Sequence, residues 1–260
     1  TELTTLYGEV KGLKVIEREL REKLNIKALH IVPGNISEDK TAIKDMGKLL
    51  NRLLLELIEP GDIIGITGGN TMAAITDEFH ADNKERDILV TPARGGLGSN
   101  LNTQSNAIAA KLAEKLGGKY NLLFVPDGLD GEGLDVILKN KDIKESLEII
   151  EKMNILLFGI GRADTMAERR KLPIEKVREL LDKGAVAEAF GHYFDIDGEE
   201  IWEYKTIGLT LNKFKALKNI IGVAGGEEKA QAILAVSTLN TNMTLVTDEA
   251  AARKILDIVN

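Results

Sequence analysis

The chain has 260 residues, 43% of them hydrophobic, a formal charge of −7 and no cysteine. That apolar content can fill one large α/β domain. The acidic balance argues against duplex binding by this chain alone, since its densest basic cluster, ERRK at 168 to 171, itself contains an acid. No apolar run reaches the roughly 20 residues that cross a bilayer. The absence of cysteine suits a reducing compartment, and the expected location is the cytoplasm.

Leu3, Leu6, Val10, Leu13, Leu20 and Leu24 fall near a 3.5-residue repeat broken at Glu17, which predicts an amphipathic opening helix. It either packs on its own domain or leads in from an upstream coiled coil. KALHIVP (27 to 33) reads as a strand, and Ile43, Met46, Leu50, Leu53, Leu54 and Leu57 follow at helical spacing. GDIIGIT, a helix over about 71 to 82, DILVTP (87 to 92), a helix over about 102 to 116 and YNLLFVP (120 to 126) continue the alternation. NILLFGI (154 to 160) is a further strand. Pro173 opens a helix that Gly184 ends. Residues 185 to 209 lose helical periodicity, and the DIDGEE turn within them predicts a β-hairpin. NIIGVAGG (219 to 226), a helix over about 227 to 239, MTLVTD (243 to 248) and a closing helix complete the chain. Such alternation builds a parallel sheet with helices on both faces, whose ligand site lies beyond the strands' carboxyl ends.

Four junctions share one grammar of apolar strand, glycines and helix start: GITGGNT (65 to 71), PARGGLGSN (92 to 100), GIGRADT (159 to 165) and VAGGEEKA (223 to 230). Glycine permits close backbone approach, and a helix N-terminus offers unpaired N–H donors and positive dipole, so these junctions suit anions. Taken singly, each is an ordinary βα turn. Neither a P-loop nor the dinucleotide fingerprint is complete. Together they carry Thr67, Asn70, Thr71, Arg94, Arg162 and Lys229, while Gln104 lies early in the next helix, where it could read sugar hydroxyls. A ligand with more than one phosphate would use two or more of these turns.

GITGGNTMAA, VTPARGGLGSNLNTQSN, the AEAFG and YFD runs within 187 to 195, and VAGGEEKAQAI followed by LVTDEAAAR together resemble the effector-binding domains of the sorbitol-operon regulator family of bacterial repressors. The resemblance spans nearly the whole chain, and PARGGLG is its most specific motif. It implies a Rossmann-like, mostly parallel sheet, related to ribose-5-phosphate isomerase and glucosamine-6-phosphate deaminase, with a β-hairpin insertion near 190 to 208. It further implies a sensor for a repressor of glycolytic genes, with fructose 1,6-bisphosphate or another phosphorylated sugar as effector and no other cofactor. A homodimer or tetramer is expected, touching operator DNA only through a winged-helix domain that has no counterpart in residues 1 to 260. The first residue, Thr1 rather than Met, reads as an effector domain trimmed from a longer polypeptide.

The same resemblance carries site positions. Gly68, Gly69 and Thr71 match its first turn, with Asn70 standing where the family pattern has a second Thr. Arg94 and the amides of Gly95, Gly96, Leu97 and Gly98 match the turn that holds a phosphate, and Gln104 a sugar-reading position. Glu188 and Lys229 match the positions that close the other side, and Arg169 a basic position of the site. Against this stands an enzyme. PDGLDGEGLD (126 to 135) is loosely similar to the acidic loop of sugar-phosphate isomerases, which makes Asp127, Asp130, Glu132 and Asp135 candidates for a general base. Solvated acidic turns are commoner, so the expectation is binding without catalysis. His30, His80 and His192 are scattered without metal-ligand spacing, and no metal site is expected.

Overall fold

The computed structural model describes residues 2–97, 100–129 and 131–260, with side chains of the opening helix described from residue 12 onward. In chain order the elements are α1 (Glu2–Leu24), β1 (Ala28–Val32), α2 (Lys40–Leu57), β2 (Ile63–Ile66), α3 (Asn70–Asp77), β3 (Leu89–Pro92), α4 (Ser105–Leu116), β4 (Lys119–Tyr120), α5 (Gly131–Ile137), α6 (Lys141–Lys152), β5 (Ile155–Gly159) and β6 (Gly161–Arg162). There follow α7 (Ala163–Arg169), α8 (Ile174–Asp182), β7 (Ala187–Ala189), β8 (His192–Phe194), β9 (Glu200–Glu203), α9 (Leu211–Ala216), β10 (Asn219–Val223), α10 (Ala230–Ser237), β11 (Met243–Asp248) and α11 (Glu249–Val259).

Seven strands form one sheet in the order β1-β11-β10-β5-β2-β3-β4, every pair parallel. Alternate residues of each strand serve two cores, as the period of 2 requires. Ile155, Leu157, Ile221, Val223 and Val246 face α2, α3 and α4, where Met46, Leu50, Leu54, Ile75 and Leu112 are buried. Leu156, Phe158, Ile220, Met243 and Leu245 face the opposite layer, with Leu20, Ile150, Ile233 and Ile255. The chain lays β2, β3 and β4 outward in one direction, then returns to place β5, β10 and β11 on the other side of β2. The reversal falls between β2 and β5, and a crevice at their carboxyl ends is the geometric result.

Several local expectations change. Of YNLLFVP, Tyr120 pairs as strand, in β4, and Pro126 forms an isolated parallel bridge with Gly96. Beyond β4 the Asn106 side chain takes the place of a neighbouring strand, its Nδ2 donating to Leu123 O at 3.0 Å while Leu123 N donates to Oδ1 at 2.9 Å. The hairpin insertion is larger than 190 to 208: β6, β7, β8 and β9 form a four-stranded antiparallel sheet. The DIDGEE turn joins β8 to β9, and a second tight turn at Phe190 and Gly191, with φ of 56° and 90°, joins β7 to β8. Positive φ at both positions matches the hairpin turn whose twist suits flanking strands. The Ala-Glu-Ala of β7 lacks the bulky alternation by which a strand is recognised.

Glu17, which interrupts the opening repeat, is buried for a reason: its Oε1 accepts from Ile31 N at 2.8 Å, and its other oxygen accepts from Lys14 Nζ at 2.6 Å. The bond caps a backbone donor on the sheet's edge strand β1, so the described part of α1 packs on its own domain. The Leu3, Leu6 and Val10 side chains lie outside the described residues. Glu17→Ala leaves the Ile31 amide buried and unpaired and should destabilise the domain by about 1–3 kcal/mol. Urea unfolding checks this, and an unchanged midpoint would show that the bond contributes nothing.

Candidate functional site

A cavity of about 270 Å³ opens at the carboxyl ends of β2, β3 and β5, lined by Thr67 to Met72, Arg94, Gly95, Leu97, Thr103, Gln104 and Ser105. Gly159 to Gly161, Thr165, Met166, Arg169, Glu188 to Phe190 and Lys229 complete its wall. All four glycine junctions contribute, though unequally.

The β2 to α3 turn contributes most. Gly69 has φ of 117°, a conformation that L side chains resist. A Cβ on Gly68 would lie 2.7 Å from Thr103 O, so only glycine lets the two turns touch. Thr67 Oγ1 accepts from Gly159 N at 3.0 Å, joining the ends of β2 and β5. Asn70 and Thr71 open α3 at the cavity wall, which brings the helix's positive end to it.

In the second junction, Gly95 N donates to Ile207 O at 2.8 Å and Gly96 N to Val125 O at 2.9 Å, so neither amide is left for an anion. For Gly95 and Gly96 the expected amide cradle is corrected. The glycines serve close packing: a Cβ on Gly95 would meet Val125 O at 2.6 Å, and one on Gly96 would meet Gln104 Oε1 at 2.7 Å. Gly96 does not line the cavity, and Gly98 lies outside the described residues. Gln104 lines it while donating from Nε2 to Leu97 O at 3.0 Å.

The third junction brings Thr165, Met166 and Arg169 to the wall on α7, but not Arg162. Arg162 turns to Asp164, with Nε 3.1 Å from Oδ1. Burial pushes the Asp164 carboxyl up, and Arg162 with the Thr165 amide brings it below its ordinary range. In the fourth junction the glycines are spent on structure. Asp248 Oδ2 accepts from Gly226 N and from Ile36 N, both at 2.8 Å, and only Lys229 reaches the cavity. Lys229 Nζ donates to Ile160 O at 2.7 Å, and burial lowers its pKa from the ordinary lysine value.

Behind the cavity lies a group that sequence reading misses as a unit. Glu188, only 3% exposed, accepts at Oε1 from Arg94 Nη1 at 3.3 Å, Arg170 Nη2 at 2.7 Å and Gly191 N at 2.6 Å. Arg170 also donates from Nη1 to Asp127 Oδ2 at 2.8 Å, and Arg94 lies 3.9 Å from the same oxygen. The Arg170 guanidinium sits 4.7 Å from the Tyr204 ring centroid. Two cations and two anions therefore share one buried network. Burial pushes the Glu188 carboxyl up, but Arg94, Arg170 and the Gly191 amide hold it below its ordinary range. For Asp127 burial prevails over both arginines and the carboxyl is raised. Among the described residues neither Arg169 nor Lys229 enters an ion pair, so these two bring the cavity its unmatched positive charge.

Among the described residues the acidic loop does not bring its carboxylates together as a catalytic set. Asp127 is locked between two arginines, Glu132 and Asp135 are exposed on α5, and Asp130 lies outside the described residues.

A Rossmann-like sheet with a cationic, glycine-walled cavity at its topological switch point is the architecture of a small-ligand binding domain. Residues 9–257 match the family model described as "Putative sugar-binding domain", and the chain belongs to that family of transcriptional-regulator domains. It is 40% identical to the central glycolytic genes regulator of Bacillus subtilis (strain 168) over 248 residues, covering 95% of this chain and 73% of that protein. With the regulator of the same name from Priestia megaterium it shares 38% identity, covering 98% and 75%. The crystal structure of the putative SorC family transcriptional regulator from Enterococcus faecalis superposes with a TM-score of 0.87 at 36% identity, covering 93% of this chain and 99% of that one. All three relatives are named as regulators.

Arg170→Met would leave two buried carboxylates with one cation. Removing one partner of a buried pair costs about 3–5 kcal/mol, and a loss near the lower end is expected in urea unfolding at neutral pH. Glu188, with its lowered folded pKa, contributes stability that is present above its unfolded pKa and lost as pH falls through the folded value. Asp127, being raised, acts in the opposite sense. Once both are protonated the arginine has little left to neutralise, so the gap between wild type and variant should narrow as pH falls below the ordinary carboxylate range. A gap constant with pH would show that packing rather than charge sets the loss.

Proposed function

We propose that this domain is the effector-sensing and oligomerisation part of a bacterial repressor of glycolytic genes, and that its cavity takes fructose 1,6-bisphosphate or a related phosphorylated sugar. The observation that carries the reading is the meeting in one cavity of an α-helix N-terminus, Arg94, Arg169 and Lys229 with the hydroxyl and amide groups of Thr67, Asn70, Thr71 and Gln104. The first set suits phosphate and the second suits sugar hydroxyls. Glu188, an acceptor held charged at the wall, suits a sugar hydroxyl as donor. The names of the relatives from Bacillus subtilis and Priestia megaterium support the choice of glycolytic genes.

In this proposal one phosphate sits near Arg94 and a second charged or hydroxylated end reaches the 67 to 71 turn and Lys229. Gly68, Gly69, Leu97 and Arg169 complete the contacts, while Gly95 and Gly96 act by shaping the turn. Operator DNA is touched only through an N-terminal winged-helix domain of the full-length protein, which works in the cytoplasm as a homodimer or tetramer. Residues 1 to 260 make one effector domain. Ligand lowers operator affinity by binding one of two states more tightly, because equal affinity would shift nothing. The segment from 162 to 172 is the element proposed to move, since it carries Arg169 at the cavity and Arg170 in the buried network.

Calorimetric titration with a sugar-phosphate panel tests ligand class and stoichiometry together. Fructose 1,6-bisphosphate should bind more tightly than the monophosphates, and Arg94→Ala should weaken it by at least about tenfold, because a hydrogen bond to a charged group contributes roughly 1.5–3 kcal/mol. Equal affinities across the panel would reduce the two-phosphate arrangement to one.

A pH series separates the contribution of Lys229. A bound anion favours the ammonium, whose pKa burial has lowered. Affinity should therefore fall as pH rises from about 7 towards 10, before the ordinary lysine range is reached. Lys229→Met should flatten that limb, whereas an unchanged profile would remove Lys229 from the ligand's surroundings.

A further inference from the structure

The antiparallel sheet carries a second group of ligating side chains on strands β8 and β9. Pairing along these strands runs His192 with Glu203 and Tyr193 with Trp202, then shifts so that Phe194 pairs with Glu200. Ile201 is thus an extra residue, a β-bulge. Residues three apart on a regular strand point to opposite faces; one added residue turns them to the same face. Here it leaves Ile201 and Trp202 packed with the small apolar cluster under the sheet. Glu200 and Glu203 both come to the side where His192 stands, and one ligand atom from each of the three lies within 4.8 Å of the others.

The bulge thereby gathers an imidazole and two carboxylates. His192 is the most enclosed of them, its side chain 13% exposed and its ring stacked on Phe194 at 6.3 Å, while Glu200 Oε1 lies 2.8 Å from Nδ1. A salt bridge between His192 and Glu200 accounts for those two groups alone. It gives no reason for a second carboxylate on the same side, directly opposite the histidine in register. The three oxygen and nitrogen donors stand on neighbouring strands with open solvent beyond, which leaves further coordination positions for water.

We propose that His192, Glu200 and Glu203 form a binding site for one divalent transition-metal ion of the Zn²⁺ or Mn²⁺ type, separate from the sugar cavity. One imidazole with two carboxylates matches the mixed nitrogen and oxygen preference of these ions, whereas Mg²⁺ and Ca²⁺ favour oxygen alone. Bound there, the ion links β8 to β9 across the bulge and stiffens the sheet whose strand β7 carries Glu188. The site does not depend on the identity of the effector.

The test uses the protein after EDTA treatment and dialysis, titrated calorimetrically with ZnCl₂ and, separately, MnCl₂. Wild type should bind one equivalent and unfold at a higher temperature in its presence. Loss of even an outer-shell partner costs about 10- to 100-fold in metal affinity, so Glu203→Gln and His192→Gln should each weaken binding at least tenfold. Glu203 is exposed, and its variant should keep the wild-type circular dichroism and sugar-phosphate titration. No binding by wild type, or equal binding by wild type and both variants, would overturn the site.

Discussion

The structure around the cavity depends on the neutral cluster formed by Arg94, Asp127, Arg170 and Glu188. Each member comes from a different part of the chain: the turn after β3, the loop before α5, the residue just past α7, and strand β7. Taking four charges out of water is costly, and mutual attraction offsets it only where geometry and hydrogen bonding are good. Glu188 meets that demand with three donors on one oxygen. Asp127 meets it less well, with Oδ1 buried and unpartnered, which accords with its raised pKa. The arrangement fixes Arg94 at the cavity at the cost of matching its charge. An anion there must therefore compete with Glu188 for the guanidinium, while Arg169 and Lys229 carry no such commitment.

That cluster can form only because glycine brings backbones together around it. Gly95 lies against the 125 to 127 segment and Gly161 against Glu188. Gly208 takes φ of 129° to run beside Ala93 and Arg94, where Leu209 N donates to Ala93 O at 2.7 Å. Glycines that read as ligand cradles in the linear sequence thus divide into two kinds. Gly68 and Gly69 shape the cavity wall, whereas Gly95, Gly96, Gly225 and Gly226 exist chiefly to let other groups approach.

The parallel sheet was legible because its central strands are buried on both faces and announce themselves as apolar runs; MTLVTD corresponds to β11 without adjustment. The residues around the cavity were largely legible too, since glycine junctions at strand ends point to one edge. What escaped depends on burial or register, which no linear spacing records. Arg169 and Arg170 are neighbours in the same charged run, yet one lines the cavity and the other is enclosed; only the three-dimensional turn at the end of α7 separates them. Asp127 looked like one acid among several in a solvated loop. Glu200 and Glu203, three residues apart, would face opposite sides of a regular strand, and only the bulge aligns them with His192.

The adjacency of Arg169 and Arg170 has a mechanical consequence. A helix as short as α7 cannot translate or rotate at one end while its last residues stay fixed, so any ligand that draws Arg169 inward also loads the bonds from Arg170 to Glu188 and Asp127. Packed interiors respond to such loads by switching between discrete arrangements rather than by bending smoothly. The bonds at 2.7 and 2.8 Å must then either hold, restraining Arg169, or break together and release β7 from α7. On this argument the network is more than a support for the cavity. In the proposed mechanism it would set the energy gap between two positions of α7, and the ligand's differential affinity would act against that gap.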